Sequence, residues 1–349
     1  MAALALAEFR AGTASVPDPT VVSLLWKAAR EQAQSDGTFA HASPHEQLCT
    51  LVDLLEVASA LTAANIPVPL SVHALLAHGL RAARLLCRPD GQPHAFREST
   101  FRNSITLERL ETLAGSVLVV PIDDTSGMFA LPSGGYAGVV TGNEKLIVRS
   151  ASGPLQRKSR RSPEGVAAIE YCVDDSFVFV TWLSEGGRAR NAVRAPLRGW
   201  WRHHQEVQQW RVESLPFVFE ATDASRSSGL HHRVEQLGAG AWRGMDRPDR
   251  RREATRSFCF DAAWQLSPVG GSQFVARNAV LRRAIHLVLA PSDANNPQST
   301  ALDVKSKSGS VSVTMESEAG RLTCPVPRGG LTWTIAGAAA EEDRRLDVV

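Results

Sequence analysis

Tyrosine is almost missing from this 349-residue chain, which holds only Tyr136 and Tyr171, beside four methionines and five cysteines. With so few phenols, proton exchange near neutral pH falls mainly to the ten histidines. Cys49, Cys87, Cys172, Cys259 and Cys324 are widely spaced, odd in number and form no CxxC pair, which argues against a disulfide framework or a structural zinc site. His45 and Cys49 are one helical turn apart, but two ligands without a second pair make a poor metal site. No metal is therefore expected. No stretch reaches the roughly 18 uncharged apolar residues of a membrane span. The first ten residues are apolar, but they lack a basic start and are broken by Glu8 and Arg10. They are a weak secretory leader, and the sequence by itself reads as cytoplasmic. There is no P-loop, no GxGxxG after a strand, no GxSxG elbow and no HExxH, so no cofactor is expected. A formal net charge of +2 gives no field for nucleic acid, and no nucleic-acid partner is expected.

What is present is an ordinary globular balance, 44% hydrophobic and 21% charged, in a chain long enough for two domains. The basic residues are mostly arginine and cluster at Arg157, Lys158, Arg160, Arg161 and again at Arg243, Arg247, Arg250, Arg251, Arg252, Arg256. Guanidinium clusters bind carboxylates and sulfates bidentately, but charge runs more often form solvated faces.

The first third has helical spacing. Asp18-Pro19 opens one run. Ser43-Pro44-His45-Glu46 opens a second as a capping box, with Leu48, Leu51, Leu54, Leu55, Ala58 and Leu61 behind it until Asn65-Ile66-Pro67. A third starts at Ser71 and ends at Pro89-Asp90-Gly91, and a short helix is expected from about Ser104 to Ala114. These read as paired antiparallel helices, too few to bury much by themselves. From Ser116 the period becomes that of strands: 117–120, 138–140, 145–148, 176–180, 217–219, 284–289, 311–315 and 331–335 are β-rich runs between Gly, Asp, Asn and Ser. Arg243 to Arg256 reads as a loop or strand edge. The predicted fold class is α+β, a helical α/α-hairpin segment over residues 1–115 followed by an antiparallel β-sandwich over 116–349.

Three stretches carry a resemblance. They are Asp36-Gly37-Thr38-Phe39-Ala40-His41-Ala42-Ser43-Pro44 with the Leu-rich helix and Pro89-Asp90-Gly91 after it; Ser133-Gly134-Gly135-Tyr136-Ala137-Gly138 before Leu146-Ile147-Val148; and Arg198-Gly199-Trp200-Trp201-Arg202-His203. In this order the chain resembles the heparinase II/III-like polysaccharide lyases, which join an α/α toroid to an antiparallel β-sandwich. The resemblance runs from about residue 20 to 335. It implies that the helical segment is toroid-like, either packed on the next domain or the tail end of a longer toroid, and it admits a periplasmic location. Two departures stand out. The family's His-rich loop before a strand corresponds to residues 161–170, which hold no histidine, and its HNT triplet corresponds to His203-His204-Gln205.

Such lyases cleave uronic-acid polysaccharides by β-elimination. The α-proton is acidic enough only when the uronate carboxylate is neutralised, so the site needs a cationic or hydrogen-bonding group beside a base and an acid. The resemblance places His203 and Arg198 in the site, as proton carrier and carboxylate neutraliser. Tyr136 is the remaining catalytic candidate, although packing suits it better, and Tyr171 reads as core. Trp200, Trp201, Arg243 and His204 are the candidates for binding an acidic glycan through ring faces and charge. The same residues fit a sandwich core with a basic rim. His231 and His232 form a further pair without the partners a metal needs, while His73 and His78, five residues apart on one helix, read as structural. The expected partner is an acidic polysaccharide. The alternative is a glycan-binding or envelope-associated protein that kept the fold and lost the activity.

Overall fold

The computed structural model describes residues 18–39, 43–94, 96, 106–118, 126–150, 167–186, 209–214, 217–222, 231–248, 253–292, 311–316, 320–327 and 329–339. Among the described residues four helices come first: α1 Pro19–Gln32, α2 Pro44–Ala63, α3 Leu70–Leu85 and α4 Leu107–Val117. Each start has a local cause. Asp18 caps α1 by accepting from the Thr20 amide at 2.8 Å. Ser43 caps α2 as a reciprocal box, its Oγ accepting from the Glu46 amide at 3.1 Å and donating to the Glu46 carboxylate at 2.9 Å. Proline occupies the first turn of both. α2 stops where Asn65 takes a left-handed φ of 58°. α4 starts later than expected: Thr106 caps it, its hydroxyl accepting from the Arg109 amide. It also runs through Val117, so Val117 and Leu118 end a helix instead of opening a strand.

Sixteen strands follow among the described residues, and they form two antiparallel sheets of eight. The first sheet has the order β1 (Gly127–Leu131), β2 (Tyr136–Val140), β3 (Glu144–Ser150), β4 (Ala167–Val173), β5 (Ser176–Gly186), β10 (Glu253–Phe260), β15 (Arg321–Val326), β14 (Thr314–Glu316). The second has the order β11 (Gln265–Gly270), β12 (Gln273–Asn278), β13 (Arg283–Pro291), β16 (Leu331–Ala339), β9 (Ala241–Arg247), β8 (His231–Gly238), β7 (Phe217–Thr222), β6 (Gln209–Ser214). The architecture is the expected one, a helical segment followed by a β-sandwich. Arg243 to Arg256, expected as a loop or edge, instead supplies β9 and β10, both interior strands of their sheets. Its polar look comes from the alternation of a strand: Trp242, Gly244 and Asp246 are buried, while Arg243, Met245 and Arg247 face outward.

By its internal contacts the chain divides into two compact units, residues 1–147 with 153–158, and 148–152 with 159–349. In the first, Leu48, Leu51, Leu55 and Leu61 of α2 pack with Leu76 and Leu80 of α3 and with Leu110, Ala114 and Val117 of α4. β1 and β2 belong to this unit, and so does the start of β3. There the buried Lys145 ammonium donates to the carbonyls of Arg84, at 3.0 Å, and of Cys87, where α3 has just ended. A cation at a helix C-terminus satisfies orphan carbonyls and complements the dipole. In the second unit the inner faces of the two sheets meet. Phe258 of β10 stands edge-on to Trp333 of β16, with centroids 5.8 Å apart, and Phe179, Phe219, Val234, Leu287 and Leu322 are all buried.

Candidate functional site

His203, Arg198, Trp200, Trp201 and His204 lie outside the described residues. Tyr136 starts β2 and is wholly buried, its ring tilted against Phe96 with centroids 5.6 Å apart. Tyr171 is buried in β4 against Phe179. Arg243 faces outward from β9 and is held in a charge ladder: Glu235 accepts from it at 3.2 Å and from Arg233 at 2.8 Å, and Glu220 accepts from Arg233 at 2.6 Å. Much of this arginine charge is already answered by carboxylates on the neighbouring strands.

The structure brings together two of the stretches that carry the resemblance. Asp36 sits in the loop between α1 and α2. One of its carboxylate oxygens accepts from the Thr38 amide (3.0 Å) and hydroxyl (2.6 Å), and the other accepts from the amides of Ser133 (2.6 Å) and Gly134 (3.4 Å) in the β1–β2 turn. Gly37 is left-handed at φ 83°, and a side chain there would strike the His78 carbonyl. The buried Gln47 completes the knot by accepting from the Phe39 amide at 2.8 Å and donating to the carbonyls of Gly37 and Gly79. The Asp-Gly and Ser-Gly-Gly sequences are thus two halves of one clamp.

The remaining histidines separate. His73 is buried and His78 exposed on α3, and His73 lines an open pocket of about 430 Å³ between the ends of α2 and α4. The Cys49 thiol lies 3.4 Å from His45, and burial together with the charges of Asp53 and Glu46 pushes its pKa up. It therefore stays a thiol, a poor metal ligand. Among the described residues no group of three or more potential ligands is gathered for a metal ion.

The most developed polar cluster is one the sequence did not announce. His231 and His232 are neighbours on β8 and point to opposite faces. His231 stays half-buried, while His232 enters the sandwich and is fully buried. Its Nδ1 lies 2.5 Å from Asp246 Oδ1 on the paired strand β9. From the opposite sheet Arg256 reaches the same carboxylate as a fork, with Nε donating to Oδ2 at 2.8 Å and Nη2 donating to Oδ1. Its Nη1 points to the Thr181 hydroxyl of β5 at 3.5 Å, and Nη2 lies 3.1 Å from His232 Nδ1. Asp246 and Arg256 are both fully buried. Burial alone would raise the Asp246 pKa, but Arg256 and His232 outweigh it and hold the carboxyl far below the usual range. Burial and the Asp246 charge push the Cys324 thiol up to about 12. The signal that was available is phase: His232 is in phase with Val234, and Asp246 with Trp242, so both polar residues fall on inward positions.

No family model matches the chain, and no curated protein is significantly similar to it in sequence. Solved structures are similar in fold. The heparan sulfate lyase HepC from Pedobacter heparinus superposes with a TM-score of 0.58 at 11% identity, over 92% of this chain and 56% of that one. One heparinase III gives 0.60 at 12% identity, over 93% and 58%, and another gives 0.59 at 10%, over 93% and 56%. The chain therefore spans a little over half the length of these neighbours, and its fold is remotely related to that of the heparinase III lyases.

Proposed function

We propose that this chain has a heparinase II/III-type lyase scaffold and acts on acidic, uronate-containing polysaccharide by β-elimination. The observation that carries the reading is the fold likeness to heparinase III structures over more than nine-tenths of the chain. In this reading His203 exchanges the protons of the elimination and Arg198 neutralises the uronate carboxylate, so that the α-proton becomes removable. Trp200, Trp201, His204 and Arg243 are assigned to sugar rings and acidic groups. Tyr136, buried against Phe96, is given a packing role and no proton to carry.

The second reading is a glycan-binding or envelope-associated protein that kept the fold and lost the chemistry. It is favoured by the absence of histidine from residues 161–170 and by Gln205 where the family's triplet ends in threonine. Among the described residues no helix is long and apolar enough to cross a membrane, which fits either reading.

Incubating the chain with a panel of acidic polysaccharides, while following the ultraviolet absorbance of the unsaturated uronate product, separates the two. A rising signal that is lost in His203→Ala establishes the lyase. No signal on any substrate from folded protein, together with retention of the chain on an immobilised acidic polysaccharide, establishes the binding protein instead.

A further inference from the structure

The His232–Asp246–Arg256 cluster joins the two sheets, and among the described residues every side-chain nitrogen and oxygen of the three has a polar neighbour except His232 Nε2. An unprotonated imidazole nitrogen and a carboxylate oxygen would repel at 2.5 Å, so Nδ1 of His232 carries the proton and donates to Asp246. His232 Nε2 is then a bare lone pair, buried and without a hydrogen-bond partner among the described residues. Asp246 is already neutralised by the Arg256 fork, which leaves the cluster with no net charge. A second proton on His232 would create a buried net cation whose new N–H has no acceptor among the described residues, with a guanidinium nitrogen 3.1 Å from the ring. The other neighbours give no relief. Phe219 of β7 presents a ring, Thr181 of β5 is engaged by Arg256, Cys324 of β15 stays a neutral thiol, and His231 on the same strand is itself basic.

We infer that this cluster is an acid-responsive pin: His232 takes up a proton only when the two sheets part, so mild acid, from about pH 6.5 down to about pH 5, loosens the sandwich. The direction follows from linkage. Burial, above all, lowers the His232 pKa from its ordinary 6.5, with Arg256 and His231 adding to the effect against the opposing pull of Asp246. The open chain then binds more protons than the folded one below that value, and stability falls as pH falls. The contribution is whole above the ordinary imidazole value and is lost progressively beneath it. Asp246 acts in the same sense but only below its own ordinary 3.8, outside this window. His231 also has a lowered pKa, mainly through burial, and needs its own control.

The test is urea unfolding of the full chain between pH 8 and pH 5, in wild type, His232→Gln, His232→Phe and His231→Gln. One proton bound on opening makes the unfolding constant rise about tenfold per pH unit. Wild type is expected to exceed either His232 variant by that factor, with His231→Gln keeping the excess. In parallel, nitrogen-15 labelled histidine in folded wild type should show one ring held as the Nδ1–H tautomer, unchanged down to pH 5. Equal pH slopes in wild type and the foldable His232 variant would overturn the proposal. So would the absence of such a ring, a reading that needs no variant to fold.

Discussion

At Gly244 the sandwich has room for a hydrogen and nothing larger. A Cβ built there would fall inside the indole of Trp333, which is itself buried, edge-on to Phe258, with the Arg256 guanidinium 6.0 Å from its ring centroid. Overpacking of this kind costs about 1–3 kcal/mol, and Gly244→Ala is expected near the upper end, read from the urea midpoint. The double variant Gly244→Ala/Trp333→Leu should be more stable than the sum of the two single changes requires, because the clash is counted once. Strict additivity would show that the indole does not lie over the strand. Nothing in the sequence marks this contact, since Gly244 and Trp333 are 89 positions apart in number and meet only through the β9–β16 pairing.

Elements were legible where local chemistry sets them. The capping box at Ser43 and the left-handed Asn65 bound α2 as read from sequence, and the change from helical to alternating spacing marks where strands take over. What was not legible is what one element does to another. Asp36 shows this: as an isolated Asp-Gly it is a turn residue, yet its second oxygen reaches amides nearly a hundred residues away. Asp36→Ala is expected to lower the stability of the first unit by about 2 kcal/mol, since it strands several part-buried amides. Asp36→Asn should rescue little, because its NH2 group would face a donor wherever it is placed. A full rescue by asparagine, in thermal or urea unfolding, would show that shape rather than acceptor count holds the two loops. Lys145 is a second case. It looks like an exposed charge at the start of a strand, and it instead closes the end of α3 from inside the unit. Lys145→Met keeps most of the stem and loses the donor, so amide exchange should quicken in the last turn of α3 before it changes elsewhere.

For the whole molecule, the order of helices before strands was readable, while the sheet order was not. β10 lies between β5 and β15, and β9 between β8 and β16, so sequence-distant partners decide which strands are interior. A reading that counts apolar residues sees Asp246 and Arg256 as a break in the sandwich, although they form the tie across it. Such a tie is not evidence of net stabilisation, because two desolvated ions are offset only by good geometry. Removing one partner is a different matter. Asp246→Asn keeps the shape but leaves the Arg256 guanidinium as an uncompensated charge among fully buried side chains. A loss of about 3–5 kcal/mol is expected. Asp246→Leu combined with Arg256→Met removes both charges and should recover most of that loss. Both are best measured by urea unfolding near pH 8, where His232 is neutral in folded and unfolded chains and acid linkage adds nothing. If the single and double variants were equally destabilised, the penalty would lie in packing around β9 and β10 rather than in a stranded charge. If the single variant were as stable as wild type, Arg256 would have found another counter-charge, and the closed three-residue arrangement on which the acid response rests would be wrong.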